Sequence, residues 1–367
     1  MRTKRALAYA ALVVAAWLVP AGAAMAGKPG GGGTVPPGTI YFRGGDGNSV
    51  CSMDGGGANR TVLGGLTKGP AGTYRPSRLL HGGARWFLHL EPVPSESGPG
   101  GDPRDDFFAV RQDGAVRVRL TSDPAIKYQY RCEWGADESE TGVTVAVVGA
   151  RWTGTSYTDT VIPGSCGLYV AHLAFDGVGN VVGLDAEPSL VAALPTRGAV
   201  GRESADTWSF LSWSPDMTRI AYNPQIWTGN NLPIRVANLV SGTVTDIGLG
   251  NDPDWSPDGS RIVCRRFVEG SKPNQKDATA IETVSPDGSG RTTVASRPVF
   301  VSPTLSQYVS TPKWSPDGGS IAYQLLFDDH YTNGTVCVYR VARDGSGNTN
   351  LTPGSEGSSL LLRDWRP

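Results

Sequence analysis

A five-residue sequence, Trp-Ser-Pro-Asp-Gly, occurs at residues 255–259 and again at 314–318, and an apolar segment follows each copy. A third copy, at 213–217, keeps Trp-Ser-Pro-Asp but carries Met217 in place of the glycine. Proline suits the second position of a type I turn, and glycine takes the left-handed conformation that closes a β-hairpin with a bulge. Each copy therefore predicts a hairpin whose first strand ends in tryptophan.

The tryptophan of each copy is predicted to be part of the core. It offers a large apolar surface for burial between neighbouring sheets. The strand after it alternates apolar and polar residues, as in Ile262 and Cys264 against Arg265, which is typical of a buried strand. The motif therefore predicts architecture, and its residues are not site candidates.

A second repeated feature follows the hairpins: an apolar strand, a short glycine turn and another strand. These turns occur at 54–55, 113–114, 176–177, 241–242, 287–288 and 344–345. Tryptophan hairpins are placed at Trp134, Trp213, Trp255 and Trp314, with a degenerate copy at 75–88 and an incomplete one at Trp365. The tryptophans from Trp213 onward recur at roughly 40 to 60 residues, near the period of about 40 to 50 of four-stranded blades.

The fold class predicted from this count is all-β. It is a six-bladed β-propeller of four-stranded antiparallel blades, closed by pairing of the N- and C-terminal strands. The last repeat stops after Trp365, and the strand at 39–42 begins a unit that lacks a tryptophan strand, so the two ends complete one another. Closure also removes the unpaired edges that an open array would leave.

The N-terminus has the pattern of a targeting segment. Arg2, Lys4 and Arg5 precede an apolar run from 6 to 19, and Ala-Met-Ala at 24–26 fits a cleavage site. We expect a signal peptide at 1–26, a Gly/Pro-rich flexible leader at 27–38 and the propeller at 39–367. No cysteine stands at the cleavage point and no second apolar run follows. The expected product is therefore periplasmic or secreted, without a lipid anchor or membrane span.

The five cysteines fall in a compartment that permits disulfides, and their odd number leaves at least one thiol. Cys132 and Cys166 are the predicted pair, because both lie near strand starts within one unit. Cys264 and Cys337 sit inside strand patterns and are predicted to be buried thiols.

Charge and motifs exclude several function classes. Lys and Arg number 33 against 34 Asp and Glu, which argues against nucleic-acid binding by bulk electrostatics. No nucleophile elbow, zinc-protease motif, phosphate loop or calcium-hand spacing occurs. We expect no cofactor and a monomer, and the alternative of a divalent cation such as calcium in the channel stays open. His89 and His172 fall in strand patterns, where structural roles are expected.

The motif Trp-Ser-Pro-Asp-Gly-x-x-Ile-Ala-Tyr, followed by Asp-Gly and Leu-Thr, resembles the WD40-like repeat of the TolB-type six-bladed propellers. The resemblance covers nearly all of the chain after the leader and is strongest over 209–352. It implies a propeller that binds other proteins of the cell envelope. Only a glycine-rich leader precedes the first predicted strand, so the additional N-terminal domain of TolB is not expected here.

The candidate site residues come from loop lengths. The connections between second and third strands, at 91–106, 152–165, 223–232, 267–278 and 326–334, are predicted to carry insertions on one face, around the channel. Loops on a rigid scaffold commonly carry function. The candidate binding residues there are Trp152, Tyr157, Asp159, Trp227, Asn230, Asn231, Asp328, Asp329, His330 and Tyr331.

Two functions remain open from the sequence. The favoured one is a non-catalytic scaffold that binds another envelope or extracellular protein through the face with the long loops. The alternative is a carbohydrate-active enzyme or lectin with carboxylates at the channel mouth, since two carboxylates about 5 to 10 Å apart suffice for glycoside hydrolysis.

Overall fold

The computed structural model describes residues 36–44, 49–66, 75–97, 103–134, 144–151, 153–155, 162–165, 167–193, 211–223, 231–270, 277–302, 305–328, 335–353 and 361–367. Within these residues the chain forms antiparallel strands and a single turn of 3-10 helix, Gly64–Leu66. No helix in these ranges is long and apolar enough to span a bilayer. The prediction of an all-β fold is therefore confirmed.

Sheet 1 joins the two ends of the described chain. It contains, in spatial order, β25 (Leu361–Arg366), β1 (Thr39–Arg43), β2 (Val50–Asp54) and β3 (Thr61–Val62). The last strand pairs with the first in antiparallel register, with Thr39 opposite Arg366 and Ile40 opposite Trp365. The indole of Trp365 also donates a hydrogen bond of 3.0 Å to the Pro37 carbonyl. Strands from opposite ends of the chain therefore build one sheet.

Sheets 2 and 3 follow in chain order. Sheet 2 contains β4 (Arg75–His81), β5 (Ala84–Ser97), β6 (Pro103–Arg111) and β7 (Arg117–Arg119). Sheet 3 contains β8 (Ile126–Trp134), β9 (Thr144–Arg151), β10 (Gly167–Phe175), β11 (Val181–Leu184) and β12 (Ser189–Ala193). Both β11 and β12 pair with β10, so the outer strand of sheet 3 consists of two short pieces.

The next seven strands form one continuous sheet. They are β13 (Leu211–Trp213), β14 (Arg219–Tyr222), β15 (Leu232–Asn238), β16 (Val244–Trp255), β17 (Ile262–Val268), β18 (Ala278–Val284) and β19 (Thr292–Pro298). The long β16 pairs with β15 through 244–250 and with β17 from Asn251 onward. It therefore ends one four-stranded half, called sheet 4, and begins another, called sheet 5.

Sheet 6 contains β20 (Phe300–Ser302), β21 (Leu305–Trp314), β22 (Ser320–Asp328), β23 (Thr335–Ala342) and β24 (Thr349–Asn350). One strand of each sheet is the first strand of its repeat unit, and these six strands are called edge strands below. They are β4, β8, β13, the second half of β16, β21 and β25, although the short β20 also pairs with the start of β21. Each contacts the next in this order, and β25 contacts β4. Within the described residues the contacts between edge strands thus return to their starting point.

The tryptophan hairpins have the predicted geometry. Gly259 and Gly318 have φ of 68° and 67°, and the amide of each donates to the carbonyl of the serine three residues earlier at 2.9 Å. Met217, at the matching position of the third copy, adopts the same left-handed conformation with φ of 58°. The side chain of Ser256 donates to Asp258 at 2.6 Å and so braces the turn. The repeat therefore imposes the turn even where glycine is absent.

Apolar clusters join each sheet to its neighbour. Trp255 and Ile262 lie between sheets 4 and 5, and Trp314 lies between sheets 5 and 6. Another cluster joins sheet 6 to sheet 1 through Val338 and Ile40. Trp213, Trp255, Trp314 and Trp365 are at most 4% exposed, which confirms their predicted core role. Each tryptophan is thus shared between two sheets.

The cysteines that the structure describes in full are buried. Cys264 and Cys337 were predicted to be buried thiols and are, and Cys51 is buried as well. Burial raises the pKa of Cys264 to about 11, which keeps this thiol protonated. The predicted pair Cys132 and Cys166 lies outside the residues whose side chains are described.

Two adjacent glycines allow a direct test of the hairpin geometry. Gly318 has a positive φ, whereas the neighbouring Gly319 does not, and an added Cβ would have ordinary contacts at either position. A left-handed conformation costs a residue with a Cβ about 1 to 2 kcal/mol. We expect Gly318→Ala to lower the free energy of unfolding by about 1 kcal/mol, while Gly319→Ala leaves it unchanged or raises it slightly. Urea unfolding of both variants checks this, and equal losses would contradict the assigned turn.

Candidate functional site

The two ends of each sheet differ. Turns between first and second strands and between third and fourth strands lie at one end, called here the short-turn end. Connections between second and third strands lie at the other, called the loop-bearing end. At the loop-bearing end β9 stops at Arg151 and β10 begins at Gly167, and β14 stops at Tyr222 and β15 begins at Leu232. Apart from the connection between Trp134 of β8 and Thr144 of β9 at the short-turn end, the longer connections therefore lie at the end that the sequence analysis favoured.

Two of the candidate binding residues are described by the structure, Asn231 and Asp328. The others lie outside the described residues: Trp152, Tyr157, Asp159, Trp227, Asn230, Asp329, His330 and Tyr331. Asp328 is half-buried at the end of β22, where it pairs with Ser306 of β21. It therefore sits where the chain leaves sheet 6 at the loop-bearing end.

Asn231 joins two neighbouring sheets. Its amide nitrogen donates to the Phe267 carbonyl at 2.8 Å, and its amide oxygen accepts from the Phe267 amide at 2.8 Å. The side chain thus pairs with the backbone of β17 as another strand would. Its polar groups position the start of β15 against sheet 5, so Asn231 is a positioning residue at this end.

The segment 91–106, predicted to be a loop insertion, is instead largely strand. Strands β5 and β6 extend along their own direction beyond the other strands of sheet 2, with Glu91 opposite Asp106 and Val93 opposite Arg104. Arg119 stabilises this extension because its guanidinium donates to both oxygens of Glu96 at 2.7 and 2.6 Å. The same group donates to buried Asp106 at 2.8 Å. These two carboxylates raise the pKa of Arg119.

His89 is fully buried in the same extension, as expected for a structural histidine. Burial, with the positive charge of Arg117 nearby, lowers the pKa of His89 to about 3. Arg117 itself lies over the ring of Phe108 at 4.5 Å. His89 is therefore neutral in the folded protein at ordinary pH.

Polar groups of the edge strands connect consecutive sheets. Asp254 accepts from the Lys313 ammonium at 2.9 Å and from the Trp314 amide at 2.9 Å. One sheet earlier, the hydroxyl of Ser212 accepts from the Trp255 amide at 3.0 Å. The residue before Trp213 and the residue before Trp255 thus each fix the backbone of the next edge strand. Asp254 and Lys313 form an ion pair that is largely buried.

Asp252 and Thr311 repeat one unusual conformation. Each lies three residues before a motif tryptophan, and their φ angles are 57° and 46°. The pairing register shifts at both positions, as at a β-bulge. Asp252 also accepts from the Thr311 amide at 3.3 Å. Because the conformation recurs in adjacent sheets, it belongs to the repeat and does not mark one special site.

The structure also brings together three polar residues that sequence reasoning did not connect. His172 is exposed, and with Asp185 and Glu187 it lines a groove between sheets 3 and 4. The sequence places His172 in a strand pattern, which does not reveal the face it occupies. Within the described ranges, no three His, Cys, Asp or Glu side chains are arranged to hold a metal ion.

Comparison with known proteins gives a fold and no closer relationship. No protein-family model and no curated protein matches the sequence. A structure of TolB from Acinetobacter baumannii matches with a TM-score of 0.50 at 11% identity, over 89% of this chain and 67% of that one. A putative TolB from Agrobacterium tumefaciens gives 0.48 at 15% identity, over 90% and 99%. An oligogalacturonate lyase in complex with manganese gives 0.41 at 13% identity, over 76% and 72%.

The first of these matches is the one that informs the fold. It supports a TolB-like fold for this chain, in agreement with the β-propeller architecture expected from the repeat. At this level of identity the likeness concerns the fold alone.

The buried pair Asp254 and Lys313 predicts a strong stability effect. Asp254→Ala leaves the Lys313 ammonium buried without its carboxylate, which we expect to cost about 3 to 5 kcal/mol. The double variant Asp254→Leu with Lys313→Met removes both charges and should recover part of this loss, because the Trp314 amide still loses Asp254 as its acceptor. Arg343→Met, which removes the exposed pair with Asp258, should have a much smaller effect. Chemical unfolding of the native chain and the three variants measures these differences, and a double variant no better than Asp254→Ala would contradict the assigned pair.

His89 predicts a defined pH dependence. In the unfolded chain a histidine binds a proton below about pH 6.5, whereas the folded value near 3 keeps His89 neutral. The unfolded state therefore binds more protons between these values, and stability falls as the pH is lowered through this window. We expect His89→Gln to reduce the slope of unfolding free energy against pH by about 1.4 kcal/mol per unit near pH 5. Unfolding curves from pH 4.5 to 7.5 test this, and an unchanged slope would show that His89 is not buried as a neutral group.

Proposed function

We propose that this chain is an exported, non-catalytic, six-bladed TolB-like β-propeller that binds another protein of the cell envelope or its surroundings. Binding takes place through the loop-bearing end. The cleaved product begins near Gly27 and works as a monomer in the periplasm or outside the cell. The basic and apolar segments at 2–19 and the Ala-Met-Ala sequence at 24–26 support export.

Three observations support a ring of six blades closed by the chain ends. The edge strands contact one another in a cycle that includes β25 with β4. Apolar clusters join sheet 6 to sheet 1 and sheet 1 to sheet 2. Strand β25 supplies the edge strand that β1, β2 and β3 lack. In this arrangement each four-stranded unit, including both halves of the seven-stranded sheet, is one blade.

The contrast between the two ends is the observation that carries the binding proposal. At the short-turn end, turn carboxylates are satisfied by their own turns. Asp287 accepts from the amide and hydroxyl of Ser289 at 2.9 and 2.7 Å, and Asp344 does the same with Ser346 at 2.9 and 2.6 Å. The loop-bearing end instead carries the long connections, on strands held by Asn231 and Arg119. A rigid base with long loops is the usual arrangement of a binding surface.

A capture experiment with matched variants tests the proposal. The native chain from Gly27 is immobilised and exposed to envelope extract. Two variants are treated in the same way, one with residues 329–334 and the other with residues 224–230 replaced by Gly-Ser sequence of equal length. Ala115→Ser, an exposed residue in a turn at the short-turn end, is the control. We expect an envelope protein to be captured and cross-linked by the native chain and the control, and at least tenfold less by the loop variants. Equal capture by all four proteins would contradict binding at the loop-bearing end.

The same proteins test the absence of catalysis. We expect no turnover of a panel of oligosaccharides by the native chain. Turnover that is lost in Asp328→Asn, at the edge of the loop-bearing end, would replace the scaffold with a carbohydrate-active enzyme.

A further inference from the structure

Outer-strand residues take part in most of the buried clusters between neighbouring sheets. Going around the sheets in numerical order, each interface joins one sheet to the next, and sheet 6 to sheet 1. At five of the six interfaces, the buried cluster includes an apolar residue from the outermost strand of the preceding sheet, or from just after that strand. These residues are Leu63 after β3, Leu120 after β7, Ile247 in β16, Val294 in β19 and Leu351 after β24. The outer strand thus completes the packing between two sheets.

The interface between sheets 3 and 4 differs. Its described buried cluster draws on Ala146 and Leu168 from the inner strands of sheet 3, and on no residue of β11 or β12. Val181 of β11 is buried in the cluster with sheet 2. Other apolar side chains of these outer strands are on the surface, with Val182 at 55%, Leu190 at 40% and Val191 at 38% exposure. Among the described residues, β11 and β12 therefore contribute no side chain to the buried cluster of this interface.

A break in the outer strand explains the difference. Strand β11 ends at Leu184 and β12 begins at Ser189, with Asp-Ala-Glu-Pro between them. The pairing of β12 with β10 also shifts register between Leu168 and Tyr169. A register shift of one residue moves side chains to the opposite face of a strand. In the part of the chain that the structure describes, the break coincides with the lack of an outer-strand apolar residue in the cluster between sheets 3 and 4.

A groove of 550 Å³ occupies this part of the interface. Its apolar wall includes Val170, Val191, Leu239 and the buried ring of Trp213. Its rim carries His172, Asp185 and Glu187, and no Lys or Arg is among the described residues that line it. Glu187 accepts from the Ser122 hydroxyl at 3.2 Å, which holds this carboxylate in place. Exposed Val240 and Val244 lie on the neighbouring turn and strand of sheet 4.

We propose that this groove binds an extended peptide segment of a partner protein, with an apolar side chain beside a Lys or Arg. The apolar side chain takes the place that an outer-strand leucine or valine fills elsewhere in the ring. The adjacent positive charge is recognised by Asp185 and Glu187 at the rim. Met217 and Leu239 border the groove on the side of sheet 4, and Asn231 and Asp328 are not among the described residues that line it. The variants below test the two surfaces separately.

Labelled peptides test this directly. The probe is fluorescein-Gly-Ser-Leu-Arg-Leu-Ser-Gly-amide, and one comparison peptide has Glu in place of Arg while another has Ser in place of both leucines. Fluorescence anisotropy with the chain from Gly27 measures their affinities. We expect the probe to bind at least tenfold more tightly than either comparison peptide, and its affinity to fall as salt is raised.

Matched variants locate the binding. The double variant Asp185→Asn with Glu187→Gln should lower the affinity for the probe at least fivefold, and Val191→Ser should lower this affinity several-fold. The controls are Glu269→Gln, an exposed carboxylate elsewhere, and Val301→Ser, an exposed valine in the short strand β20. Both controls should bind the probe as the native chain does. The Gly-Ser replacement of 329–334 should also bind it normally, which separates this surface from the loop-bearing end.

Three results would overturn the proposal. The first is equal affinity for the Arg and Glu peptides. The second is an unchanged affinity in the double carboxylate variant. The third is self-association of the native chain in sedimentation that Val191→Ser abolishes, because the groove would then serve a second copy of this chain.

Discussion

Packing of apolar side chains between neighbouring sheets is the constraint on which the rest of this structure depends. Each sheet presents both of its faces to other sheets, so its two neighbours complete its core. Between sheets 4 and 5, for example, Trp255 and the outer-strand residue Ile247 lie in one buried cluster. Asp254 then ties one edge strand to the amide of Trp314 in the next. A sheet that left this arrangement would expose two apolar surfaces at once, so we expect the sheets to unfold as one unit.

This constraint decides where function can be placed. The motif residues pack in the core or form hydrogen bonds within their own turns, as in the bond from Ser256 to Asp258. Binding groups must then come from what the repeat leaves variable. One such place is the loop-bearing end, where Asn231 holds the base of a long connection against β17. The other is the interface of sheets 3 and 4, where the broken outer strand leaves an acidic groove with an apolar wall. Both proposals follow from departures from the repeat.

The sequence was informative where local patterns determine structure. The Pro-Asp-Gly turns, the core tryptophans and the assignment of the 287–288 turn to the third and fourth strands of a unit were all predictable, since each depends on residues a few positions apart. The extension of β5 and β6 was not, because the clamp of Arg119 on Glu96 joins residues distant in sequence. The pairing of Asn231 with Phe267 could not be predicted either, because these residues are also distant in sequence. The groove depends on the face that Val191 occupies, and a break in a strand leaves that face undetermined in the sequence.

The proposed closed ring makes one demand that can be measured at the chain ends. Hydrogen exchange of the backbone amides of β25 and β1 should require the same free energy as exchange in β22 and β23, because a closed ring opens only by global unfolding. Terminal strands that merely lie against the sheet would fray and exchange far more readily. Equal protection of the four strands is the result expected here. Rapid exchange in β25 and β1 beside a protected β22 would contradict a ring closed by the two ends of the chain.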